Sequence, residues 1–256
     1  MKKILFWMVL IVGIIAVIGA CKKSDDSSTA ASTAATTCSG TASGTITGID
    51  NMSLSGAYSL MLQYGEMSGI DNITGCTSNA SLLSAFSANV STDAQSFNYW
   101  RIVTSSTSFA HVWKSYTDDN CSTEAASFVI GDSNLTIVDN VTGLTSGTNN
   151  IGTTGTKVTT TQSCVKGLGS TEAGVTWLQG FGSMDVTLGV EKTGSGSQST
   201  YYYLMHADAD NSSKRPNSTN TGVVDFGGKV WRSRGSSSAQ PTDWTDGGAQ
   251  DAFQNY

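Results

Sequence analysis

Five cysteines, two histidines and a few close-set carboxylates are the residues of this chain with chemistry to offer. Cys38, Cys76, Cys121 and Cys164 form an even set once Cys21, which ends an apolar run, is set aside. No pair has the Cys-x-x-Cys spacing of a zinc site, so two disulfides and an oxidising compartment are expected. Three pairings are open. Cys38–Cys76 and Cys121–Cys164 are favoured, because cysteines adjacent in sequence meet most readily along a meandering sheet. Loops of that size stabilise by about 3–4 kcal/mol each through chain entropy.

The histidines are poor bases on this sequence. His111 lies between Ala110 and Val112 and shares a strand face with Phe109 and Trp113, a setting for a packed, hydrogen-bonded ring. His206-Ala207-Asp208-Ala209-Asp210-Asn211 and Asp118-Asp119-Asn120 carry oxygens of the kind calcium takes. Both lack the sharp-turn glycine and the later bidentate glutamate of a calcium loop. Solvated turns are therefore expected there, with no metal and no other cofactor. The chain has no Gly-x-Ser-x-Gly elbow and no glycine-rich phosphate loop. A cysteine nucleophile would need a free thiol, which the disulfides remove. No catalytic residue is assigned, and a non-enzymatic role is expected. Asn-x-Ser/Thr triplets at Asn72, Asn89, Asn134 and Asn217 follow from a Ser- and Thr-rich composition.

The remaining thiol sits in a different pattern. Lys2 and Lys3 precede an apolar run over residues 4–18, broken only by Gly13, and then comes Ile18-Gly19-Ala20-Cys21. The run falls short of the ~20 residues that cross a bilayer. This arrangement resembles a bacterial lipoprotein signal ending in a lipobox. The resemblance implies removal of residues 1–20 and acylation of the Cys21 sulfur by palmitate-type chains. Each buried CH₂ then contributes about 0.8 kcal/mol of membrane affinity, and two or three chains make a stable anchor. Lys22 stands where an aspartate would signal inner-membrane retention, so an outer-membrane location in the cell envelope is expected. The membrane is accordingly the first expected partner.

Composition narrows the rest. Without Lys2 and Lys3, 12 basic side chains face 20 acidic ones, a net charge of −8. That balance excludes a basic nucleic-acid-binding face. Residues 21–43 have no apolar periodicity and read as a lipidated Ser/Thr/Ala-rich flexible tether. Residues 44–256 read as one β-domain with a polar C-terminal tail.

Within that domain the dominant period is two. Leu54, Tyr58, Leu60, Leu62 and Tyr64 share one parity. The clearest alternation is 184–192, which places Met184, Val186, Leu188 and Val190 inward. Further strands are expected at 97–104, 108–117, 125–131, 134–139, 156–163, 200–206 and 222–233. Clusters at 145–150 and 193–197 read as turns. Residues 79–89 fit one or two helical turns, and no long amphipathic helix is expected. Successive strands with short connections predict an all-β, antiparallel fold, either an up-and-down barrel or a two-sheet β-sandwich.

The barrel is favoured by two local patterns. Tyr116-Thr117-Asp118-Asp119-Asn120-Cys121-Ser122 follows an aromatic strand, and Lys214-Arg215-Pro216-Asn217-Ser218-Thr219 follows Tyr201-Tyr202-Tyr203, ahead of a last strand with Lys229. This order resembles small exported lipocalin-like bacterial proteins over residues 50–235. It implies a barrel with a lumen. Phe97, Tyr99, Trp100, Phe109, Trp113 and the three tyrosines 201–203 then become candidates to fill or line it. Trp100, Phe109, Trp113 and Tyr202 are the expected contacts of a small apolar or sugar-like ligand. The other expectation is a structural or adhesive surface lipoprotein without such a ligand.

Overall fold

The computed structural model describes residues 38–61, 76–78, 80–145, 153–208, 230–244 and 249–254. The leader, Cys21, residues 209–211 and 214–219, Lys229, Leu62, Tyr64, Asn72 and the turn residues 146–150 lie outside them.

In chain order the elements begin with a small hairpin, β1 (Ile46–Ile49) and β2 (Met52–Leu54). Strand β3 (Ala57–Met61), a short helix α1 (Ala80–Ala85) and a single 3₁₀ turn (Ser87–Asn89) follow. Next come β4 (Ser96–Ser105), β5 (Ser108–Tyr116), β6 (Glu124–Thr142) and β7 (Thr154–Gly169). Helix α2 (Glu172–Phe181) leads to β8 (Lys192–Ser195), β9 (Thr200–Asp208), β10 (Val230–Ser236) and β11 (Ala249–Gln254).

Hydrogen-bonded neighbours run β6-β5-β4-β3-β11-β10-β9-β7, and β7 pairs back to β6. Every pairing is antiparallel. Eight strands thus form a closed ring that follows chain order, with β8 outside it and the β11–β3 pairing as the closure. This is a lipocalin-like up-and-down barrel, and the sandwich alternative falls away. Strand β8 adds to the outer edge of β7 beyond the end of β9, with Cys164 opposite Ser195. Closure removes the unpaired edges that an open sheet leaves.

The long β6 corrects the expectation of two strands at 125–131 and 134–139. Register shifts between Ser133 and Thr136, with Asn134 at φ +55°, bend one continuous strand at the expected break. Residues 249–254 correct the expected polar tail. Ala252, Phe253 and Gln254 pair with Met61, Leu60 and Ser59, which closes the ring. Ladder hydrogen bonds hold this segment, and those leave no mark in hydropathy. At 192–195 a short strand replaces the expected turn.

Two elements close the ends. The β1–β2 hairpin turns through Asp50 and Asn51, both at positive φ, and buries Ile46, Ile49 and Leu54 in the main apolar cluster. Asp50 ties it to the wall where β7 begins: its N–H donates to Thr156 Oγ1 at 2.8 Å. Its carboxylate accepts from Thr154 Oγ1 at 2.9 Å and pairs with His206 Nδ1. The other end carries α2, a helix the sequence reading did not anticipate. Thr171 caps it by accepting from Gly174 N at 3.0 Å, and Val175, Trp177, Leu178 and Phe181 are buried. Gly174 is required by close approach, since a Cβ there would lie 2.3 Å from the Ala125 carbonyl oxygen. Helix α1 stands within the helical turns expected at 79–89, and its Leu82 packs with Val90 and Phe97.

Both disulfides form, with the pairing reversed from expectation: Cys38–Cys164 and Cys76–Cys121, at Cα separations of 6.0 and 5.9 Å. Sequence proximity loses to the path of the chain. Residues 38–44, read in part as tether, cross the outside of the barrel as a strap. Cys38 starts on β7, Gly40 faces Val129 and Val112, and Ser43 N–H donates to the Val103 carbonyl at 2.9 Å. Residues 38–43, expected as tether, are thus held on the barrel wall. Cys76 is brought to the β5–β6 turn by the neighbouring bridge between Thr77 and Phe97.

Candidate functional site: the filled lumen

Side chains alternate across each strand, so register decides what enters the lumen. Tyr99, Arg101 and Val103 of β4 stand opposite Trp113, His111 and Phe109 of β5. Those stand opposite Phe128, Ile130 and Asp132 of β6. Phe109 reaches Tyr203 of β9 and Trp231 of β10 at ring-centroid distances of 5.6 and 5.2 Å. These strands are not neighbours in the ring, so the contacts cross its interior. Phe109 and Trp113 are therefore inside, as expected. Trp100 and Tyr202 are not: Trp100 pairs with Val112 and Tyr202 with Thr159, both on the opposite parity. Trp100 packs outside against a small cluster of Ile102, Ala110, Val112 and Val129.

The interior is occupied by stacked and edge-on rings. Trp113 stacks on Tyr99 at 4.2 Å and on His111 at 5.8 Å, and meets Phe181 of α2 edge-on at 6.0 Å. Tyr58 meets Trp231 edge-on at 5.5 Å. Such pairs add to area burial through the ring quadrupoles. Gly235 leaves room for them, because a Cβ there would approach Tyr203 Cε1 to 3.0 Å.

A polar layer lies among the rings. Tyr99 Oη is 2.9 Å from His111 Nδ1. His111 Nε2 is 3.5 Å from Asp132 Oδ2, to which Tyr203 Oη donates at 3.4 Å. Thr160 Oγ1 donates to Asp132 Oδ1 at 2.7 Å. The fully buried Arg101 donates from Nη1 to Ser233 Oγ at 2.7 Å. Its guanidinium lies 4.8 Å from the Trp231 ring centroid and 5.4 Å from that of Phe109. Burial pushes the Tyr203 phenol well above its ordinary pKa. The negative charge of Asp132 adds to that shift, and Arg101 opposes it.

Hydroxyl, imidazole and carboxylate stand in series here, the order found in nucleophile triads. Tyr99, His111 and Asp132 are nevertheless 8, 7 and 1 % exposed, and rings fill the space around them. The packed, hydrogen-bonded state expected of His111 is what the structure contains. Tyr99 and Tyr203 belong to the aromatic set read from the sequence. Arg101, Asp132, Thr160 and Ser233 escaped it. The available signal was parity: Arg101 shares its face with Tyr99 and Val103 in a strand otherwise apolar inward.

The two candidate calcium segments fare differently. Asp118 accepts from Thr123 N at 2.6 Å, Ser122 Oγ at 2.7 Å and Ser122 N at 2.8 Å, so its oxygens close a turn. Those hydrogen bonds, Thr123 first, hold its carboxyl well below the usual carboxylate range. At the other segment His206 is buried against Asp50 and Trp244, and residues 209–211 lie outside the described set. Among the described residues no group of three His, Cys, Asp or Glu side chains is placed to hold a metal. No described helix is long and apolar enough to cross a membrane. No protein-family model matches the chain, and no curated protein matches it.

Proposed function

We propose that this protein is a non-enzymatic lipoprotein of the bacterial cell envelope, held in the outer membrane by acyl chains on Cys21. Its barrel acts there as a rigid body that works through its exterior. The observation that carries this reading is the cluster of buried rings inside the barrel. Rings from β3, β4, β5, β9 and β10 meet at 4–6 Å, and the β1–β2 hairpin and α2 bury their apolar faces in the same cluster. An eight-stranded barrel is just wide enough for side chains to fill. The disulfides and the end-capping elements brace this body, and its net negative, Ser- and Thr-rich surface suits exposure to water.

One feature favours a second reading, in which the lumen holds a small ligand. A barrel that needed only a core would be served by aliphatic side chains, yet this one buries Arg101, His111 and Asp132 among its rings. Titration with apolar probes, fatty acids and sugars, followed by tryptophan emission, separates the two. The packed-body reading expects no saturable one-to-one response. A one-to-one response that disappears in Phe109→Ala would overturn it in favour of a lumen ligand. Mass spectrometry of the N-terminal peptide tests the anchor, and an unmodified Cys21 thiol would refute it.

A further inference from the structure

The alternation at 184–192 predicts a strand with four inward residues, and the structure splits that set. Met184 and Val186 are 7 and 1 % exposed, whereas Leu188 and Val190 are 49 and 48 % exposed. The reason is a tight turn. Val190 N–H donates to the Thr187 carbonyl at 3.1 Å, and Gly189 adopts φ +71°, which a side chain would disfavour. The turn is fastened to the barrel by Gly189 N–H donating to the Gly169 carbonyl at 2.8 Å. It is a fixed projection that carries two apolar side chains at a place where turns ordinarily carry polar ones.

Its position gives it a partner. Cys38, the described residue nearest in sequence to Cys21, is bonded to Cys164 on β7. Gly169, which holds the turn, lies on the same strand, about 17 Å along at the usual rise per residue. Only residues 22–37 separate Cys21 from Cys38. A Ser/Thr/Ala-rich stretch of that length spans roughly 20–25 Å as a coil and at most about 60 Å fully extended. A bilayer holding the acyl chains is thus within reach of the turn on the scale of the barrel itself.

We propose that Leu188 and Val190 dip into the lipid surface to which Cys21 is anchored, orienting the barrel with its α2 end toward the membrane. This inference rests on the lipoprotein reading above. Two apolar side chains bind a bilayer weakly alone, but the acyl anchor raises their effective concentration at its surface. Charges beside the turn come close to cancelling. Glu191 pairs with Lys166 at 3.3 Å, and the exposed Asp185 and Lys192 carry opposite signs. The contact should therefore be apolar and insensitive to salt.

The test uses the full-length acylated protein in phosphatidylcholine vesicles, with a photo-crosslinking residue introduced as Leu188→p-benzoylphenylalanine. The control is Ser106→p-benzoylphenylalanine, in the β4–β5 turn at the opposite end of the barrel. Position 188 should yield several-fold more lipid adduct than position 106, at low and high salt alike. Equal yields from acylated, vesicle-bound protein would overturn this inference alone, and so would an adduct that high salt abolishes. A Cys21 free of acyl chains, seen in the same mass spectra, would overturn it together with the anchor reading.

Discussion

The Cys38→Ala/Cys164→Ala variant tests the strap most directly. Cys38 and Cys164 are 126 positions apart, which by loop-closure entropy corresponds to about 5 kcal/mol. The Cys76–Cys121 bridge lies inside that loop and shortens it to an effective ~80 residues, which trims the figure to roughly 4.5 kcal/mol. Both removed sulfurs are buried, so alanine avoids the unsatisfied hydroxyl that serine would add. Without the bridge the strap keeps its Ser43–Val103 hydrogen bond and the packing of Gly40 on Val112 and Val129. The expected loss is therefore about 2–5 kcal/mol, the range seen when a native disulfide is removed. Urea unfolding followed by tryptophan emission reads it as a shift of midpoint at nearly constant slope. A loss below about 1 kcal/mol would refute the reasoning, because the strap would then add little that loop closure controls. Peptide mapping of the native protein without reductant gives a second check, and a Cys38–Cys76 linkage would refute the chain path itself.

Two glycines of α2 should respond oppositely to alanine. Gly174→Ala forces a Cβ against the Ala125 carbonyl and should cost about 1–3 kcal/mol, while Gly180→Ala meets nothing within 4 Å and should gain up to about 1 kcal/mol in thermal or urea unfolding. Phe109→Ala empties the centre of the lumen and should cost about 3–5 kcal/mol by the same measurement. Alkaline pH should unfold the barrel through its tyrosines. Tyr116 is pushed up to about 12 by burial and then by Glu124 and Asp118, and burial raises Tyr58 and Tyr203 as well. With folded values above the ordinary 10.0, their contribution is complete below pH 10 and is lost as pH rises through the folded values. Tyrosinate absorbance of these residues should therefore appear together with unfolding, and its appearance in a still-folded barrel near pH 10 would contradict their burial.

How far the sequence was legible depended on the force acting at each place. Where burial on one face decides, the pattern reads directly: Phe109, His111 and Trp113 alternate with Ala110 and Val112 and lie as their parity requires. Trp100 and Tyr202 lie outside because parity, not aromatic content, sets which side of the wall a residue takes. A run such as Tyr201-Tyr202-Tyr203 must send its middle member to the other side of the wall. Alternation alone also failed at 184–190, where a loop passing under α2 imitates a strand until Gly189 turns it outward. Helix α2 was hidden by Gly174, which its docking on Ala125 demands at the cost of helix propensity. Cysteine pairing was beyond reach, since it follows the three-dimensional course of the strap.

Because β11 completes the ring, the barrel has no finished form until β11 has been made. Ser59 and Gln254, close to opposite ends of the folded sequence, must find each other. A chain emerging from the N-terminus first can zip its hairpins from β3 through β10, yet it remains an open sheet with two bare rims. Such rims are templates for joining another chain. A premature stop just before Ala249 should thus be more harmful than the loss of so short a segment suggests, because it removes β11 and turns a self-contained ring into a sticky ribbon.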